Sequence, residues 1–126
     1  MTELNLVPIV ESGFALVPVP GAPPKVRFTG NGDSEAIAPL ARFLRQLHSE
    51  LVLHHLTQVN VDLGDLYFMN SSCLKNFVSW IHRVDTEGKP YEITLLTNPR
   101  LQWQQRSLLT LKRLAPTIVS INEVGV

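Results

Sequence analysis

The chain has 126 residues, 44 % hydrophobic and 17 % charged, with eleven basic and eleven acidic side chains: enough for one globular domain (residues 1–126) but not for two with good cores. Zero formal net charge argues against a nucleic-acid or anionic-membrane binder, and the one cysteine, Cys73, allows no intrachain disulfide and fits a reducing compartment. No apolar run nears the ~20 residues of a membrane span, and Met1-Thr2-Glu3-Leu4-Asn5 lacks the character of a secretory leader, so a cytoplasmic protein is expected.

Residues 4–10 and 14–19 are apolar enough for strands. The run Pro20-Gly21-Ala22-Pro23-Pro24 must be a loop, because proline neither donates to a ladder nor continues a helix. Lys25-Val26-Arg27-Phe28 alternates as a half-buried strand does, and Gly30-Asn31-Gly32-Asp33-Ser34 reads as a turn with Asp33 or Ser34 as N-cap. From 35 to about 56 the period becomes helical: Ile37, Leu40, Ala41, Leu44, Leu47 and Leu51 make one stripe, with Pro39 early enough to be tolerated. Residues 59–69 read as a central strand bent at Gly64-Asp65, with Leu66-Tyr67-Phe68-Met69 continuing its buried character.

A second helix is predicted over 71–87, with Leu74, Phe77, Val78, Ile81 and Val84 inward and Gly88 at its C′ position. A strand over 91–96, a turn at Asn98-Pro99, a third helix over 101–114 and a short strand over 117–121 complete the chain. This order implies an α/β domain with a mixed sheet of about four to six strands and about three helices, mostly on one face.

The segment richest in chemistry joins the central strand to the second helix. Asn70-Ser71-Ser72 falls at the carboxyl edge of the sheet and at a helix N-terminus, where unpartnered amides and the helix dipole favour anionic oxygen. A phosphate on Ser71, carrying about −1.5 to −2 charge units, would be tolerated there and would alter a surface that a partner reads. The plainer reading is that Asn70 or Ser71 only caps the helix. On spacing alone the cap is the favoured reading.

Val61-Asp62-Leu63-Gly64-Asp65-Leu66-Tyr67-Phe68-Met69-Asn70-Ser71-Ser72-Cys73-Leu74 resembles the signature of STAS domains, the anti-sigma-factor antagonist family. The order of elements from about 25 to 124 is similar as well. Asn70 stands where that family has Asp, and Cys73 where it has Gly. Asn followed by hydroxyl residues, with Phe28-Thr29-Gly30-Asn31-Gly32-Asp33-Ser34 leading into a long helix, is similar to the SiaC-like regulatory phosphoproteins, a bacterial STAS-like branch.

The resemblance implies a bacterial partner-switching regulator. A serine kinase of the histidine-kinase-like ATPase type would phosphorylate Ser71, with Ser72 as second choice, and a PP2C-type phosphatase would reverse it. Asn70, Ser72, Lys75, Ser79 and Asp65 would bind partners, among them a downstream regulated protein. The alternative is a STAS-like scaffold, or an anion- or small-ligand-binding module, that is never phosphorylated.

Other features carry less. His48 and His55 are seven apart, as residues sharing a helix face are, but neither they nor His54 and His82 have a ligand spacing that would bind a metal. Asp62 and Asp65 read as a polar strand face and a turn, and Cys73 as a small buried residue. Trp80 and Trp103 read as core or as interface anchors. Gly30-Asn31-Gly32 has neither the length nor the lysine of a P-loop, and no nucleophile–base–orienter set is visible. Neither an enzyme nor a cofactor is expected. No nucleic acid or membrane partner is expected either, and the chain would be a monomer or, through a free sheet edge, a homodimer.

Overall fold

A computed structural model describes residues 4–123; the start of the N-terminal pentapeptide read above and position 124 lie outside the described residues. Seven strands form one mixed sheet: β1 (Ile9–Val10), β2 (Phe14–Val19), β3 (Lys25–Gly32), β4 (Gln58–Asp62), β5 (Leu66–Met69), β6 (Glu92–Thr97) and β7 (Val119–Glu123). The spatial order is β1-β2-β3-β4-β6-β7, with β5 also on β3. The β1–β2–β3 pairs are antiparallel and all others parallel. The helices α1 (Ile37–Leu53), α2 (Ser71–Thr86) and α3 (Gln102–Leu114) make the crossovers, and a single 3-10 turn (Ser34–Ala36) precedes α1.

Alternation along the strands sets which face is covered. Leu16, Val26, Phe28, Val59, Val61, Ile93 and Leu95 are all buried, and they join Leu40, Leu47, Phe77, Ile81, Leu108 and Leu111 from the helices in one core. Each such side chain contributes about 1.5–3 kcal/mol by leaving water. The opposite sheet face mixes half-buried Ala15, Val17 and Leu96 with polar groups, among them the Arg27–Asp62 pair (3.4 Å) and the Thr94–Ser120 hydroxyl contact (3.1 Å). All three helices therefore share one face, as the α/β pattern predicts. No helix of the described residues is long and apolar enough to cross a membrane.

Several boundaries differ from the sequence reading. Of residues 4–10 only Ile9–Val10 is strand, since Pro8 has no N–H to give a ladder. The supposed turn at Gly30 is instead the continuation of β3 to Gly32. Gly30 makes this possible by adopting φ +89°, where the register against β5 shifts by a bulge. Residues 59–69 form two strands lying end to end along β3: β4 pairs with Lys25–Arg27 and β5 with Gly30–Gly32.

The turn between β4 and β5 is held by α3 and the loop before it. Gln104 is buried; its Nε2 donates to the Leu63 (2.6 Å) and Leu66 (3.3 Å) carbonyls, while its Oε1 accepts from Asn98 N (2.7 Å). Trp103 Nε1 donates to Leu66 O (3.1 Å) and Asn98 Nδ2 to Gly64 O (3.0 Å). These bonds add side-chain partners to the Leu63, Gly64 and Leu66 carbonyls of the bend, of which Leu63 O also accepts from Leu66 N (3.1 Å), and they fix β5, which delivers the start of α2.

Candidate functional site

Asn70 leaves β5 with its N–H donating to Gly32 O (2.8 Å) and turns the chain in an extended conformation (φ −76°, ψ 169°). Its Oδ1 accepts from Cys73 N at 2.8 Å, and Leu74 N bonds Asn70 O at 3.1 Å. Asn70 is thus a true N-cap. Ser71 and Ser72 are the first two helical residues, ahead of the first intrahelical bond, and both are exposed. Cys73 turns inward under them and is fully buried. Its Sγ lies 3.7 Å from Asp33 O, and burial, helped by the Asp33 charge, pushes the thiol up to about 11.

Of the other residues singled out by sequence, Lys75 and Ser79 are exposed on α2 and follow Ser71 at four-residue steps, so these three share a stripe. Asp65 is exposed but sits at the other end of β5, roughly 20 Å of extended chain from the start of α2. The fold therefore brings Asn70, Ser71, Ser72, Lys75 and Ser79 together and leaves Asp65 apart.

Two features went unread. Asp33, legible only as a cap, indeed accepts from Ser34 N (2.8 Å), but it also lies beside the first turn of α2. The signal is topological: Asp33 and Asn70 follow the carboxyl ends of the paired parallel strands β3 and β5, the usual place for loops with function in α/β sheets. The second feature corrects the reading of residues 66–69 as continuously buried. Tyr67 is 59 % and Phe68 46 % exposed, because β5 pairs with β3 alone and its bulged register turns both rings outward. An adjacent exposed aromatic pair thus leads directly to Ser71.

Elsewhere the tryptophans are anchored, Trp80 at 4 % exposure with its indole bonded to Tyr91 Oη (2.7 Å) and Trp103 half-buried. His48 and His55 do not share a face, since α1 ends at Leu53 and His55 has φ 54°. His48 is instead 2 % exposed, bonded to Tyr91 Oη (2.6 Å) and Glu87 Oε1 (2.9 Å). That hydrogen bond, with a second from Arg83 (2.8 Å), holds the Glu87 carboxyl below its usual range. Asp62 is engaged by Arg27 and by Gly64 N. No family model matches the chain, and no curated protein matches it.

Proposed function

We propose that this chain is a cytoplasmic partner-switching regulator whose protein binding is controlled by phosphorylation of Ser71. The observation that carries the reading is an exposed serine at the first position of a sixteen-residue helix, next to the exposed Tyr67–Phe68 pair. Exposed aromatics of this kind are favoured anchors at protein interfaces. In the unphosphorylated form the partner covers Tyr67, Phe68, Asn70, Ser72 and the Lys75–Ser79 stripe. A serine kinase of the histidine-kinase-like ATPase type moves the γ-phosphoryl group of its ATP to Ser71 Oγ, releasing ADP and the hydroxyl proton. The dianion rests against the Ser71 and Ser72 amides and the Lys75 ammonium, so the domain stays folded while the partner meets new charge and leaves. A PP2C-type phosphatase restores the hydroxyl by hydrolysis. The chain acts as substrate and binder, with no chemistry of its own.

A second reading, a STAS-like scaffold or anion-binding module without phosphorylation, draws support from Asn70, whose cap bond already gives the segment a structural role. Intact-mass spectrometry of the protein from its native host, with fragmentation, separates the two. Phosphate on Ser71, lost in Ser71→Ala, with partner binding abolished by Ser71→Asp, is the expected result. Absence of phosphate across growth conditions, with binding unchanged by Ser71→Asp, would leave the scaffold.

A further inference from the structure

We infer that the groove between α1 and α2 is a docking site for an acidic, leucine-bearing segment of a partner protein. This site borders the surface proposed above, sharing Ser79 with it, but does not depend on phosphorylation of Ser71. The two helices run side by side in the same direction, as two cross-links at their ends require: Asn76 Nδ2 donates to Ile37 O (3.0 Å) at one end, and His48 meets Glu87 at the other. Between them lies an open depression of about 230 Å³. Its floor is apolar, made by Leu44 and the edge of Trp80, and its rim carries Arg45, Arg83 and the Ser79 hydroxyl. From Ala41 to His48, or Asn76 to Arg83, the groove spans seven residues of helix, or about 10 Å. That length seats two turns of a helix or three to four extended residues.

Charge selects the occupant. The whole chain is neutral, yet the rim of this groove is basic. Arg45, and Arg42 and Lys75 nearby, enter no ion pair among the described residues, and Arg83 engages Glu87 through Nε alone. The other described grooves differ. The one beside β7 sets Lys112 against Glu123, the one between α2 and α3 has Asp85 without lysine or arginine, and the one along the proline loop has no charged residue. The unpaired Arg45 guanidinium and the Nη groups of Arg83 that Glu87 leaves free, over an apolar floor, suit carboxylates that flank an aliphatic anchor, since Arg binds carboxylate in bidentate fashion. Nucleic acid is a poorer match, because the Trp80 ring is buried and offers no stacking face.

The test is an amide chemical-shift titration of the full chain with three probes. These are a peptide of about a dozen residues made of glutamates and two leucines, its lysine counterpart, and a short single-stranded RNA. The acidic peptide is expected to shift the amides of Arg45, Ser79 and Arg83. Arg45→Glu should weaken it about tenfold, while Arg106→Glu on the exposed face of α3 changes affinity less than about twofold. Shifts outside the groove, equal binding of the lysine peptide, tighter binding of the RNA, or groove shifts that appear with protein concentration alone would each overturn the assignment. Loss of the Ser71 switch with the groove still binding would remove the proposed function and leave this site intact.

Discussion

The Tyr91 hydroxyl lies 2.6 Å from Nδ1 of His48 while it accepts a hydrogen bond from Nε1 of Trp80 at 2.7 Å. An indole N–H can only donate, so the phenol oxygen accepts it. The Glu87 carboxylate can only accept, so Nε2 of His48 carries a proton and donates to Oε1; in the neutral imidazole Nδ1 is then the acceptor and the phenol proton points to it. One directed chain thus ties α1, α2 and the start of β6, and it satisfies every polar atom it buries.

Tyr91→Phe keeps the ring and removes the hub. It leaves the Trp80 N–H and His48 Nδ1 facing a hydrocarbon edge, and stranded buried polar groups cost about 1–3 kcal/mol each. A loss of about 2–3 kcal/mol in urea unfolding is expected, with the denaturant slope unchanged. A loss under about 0.5 kcal/mol would mean that the network contributes little.

Asn70→Ala removes the acceptor of the Cys73 N–H and should cost about 1 kcal/mol. Asn70→Asp keeps the cap and adds negative charge at the helix N-terminus, which should stabilise by a few tenths of a kcal/mol up to about 1. The order Asp, Asn, Ala in thermal midpoint checks both statements. Equal midpoints for Asn and Ala would show that the cap bond is not used in solution.

Hydrophobic period made the three helices and the parallel core strands legible, because Leu40, Leu47, Phe77 and Ile81 repeat at helical spacing while Val59, Val61 and Leu63 alternate. The same signal misled at Tyr67 and Phe68, which are apolar but lie on a bulged strand beyond the reach of β4 and β6. It was silent on Gln104 and His48, polar side chains whose burial depends on partners more than thirty residues away. Asn70 and Ser71 were readable because capping is local. Asp33 beside the start of α2 and the α1–α2 groove were not, because both depend on which elements become neighbours.

Gly30→Ala should be among the most damaging single changes at this end of the sheet. Gly30 has φ +89°, and an added Cβ would run into the Gly13 carbonyl and lie 2.9 Å from Phe14 Cα. Steric overlap and a left-handed backbone together should cost at least about 2 kcal/mol. Gly13→Ala, where nothing lies within 4 Å of the new Cβ, is the control and should cost under about 1 kcal/mol. If the two variants unfold at the same urea concentration, the bulge is more pliable than its contacts imply.

Cys73 makes the alkaline edge of stability testable. Its thiol is pushed from 9.0 up to about 11 by burial first and the Asp33 charge second, so the folded protein keeps the proton over a range where the unfolded chain gives it up. Stability from this group is complete below about pH 9, declines as pH rises through 9 to 11, and is absent above that window. The advantage of the wild type over Cys73→Ala in urea unfolding should therefore narrow between pH 9 and 11. A two-unit rise also lowers the thiolate fraction about 100-fold near pH 8, so a disulfide reagent should label the native thiol at least that much more slowly than the denatured one. A wild-type advantage that stays constant to pH 11, or rapid native labelling, would place Cys73 nearer solvent than the first turn of α2 allows.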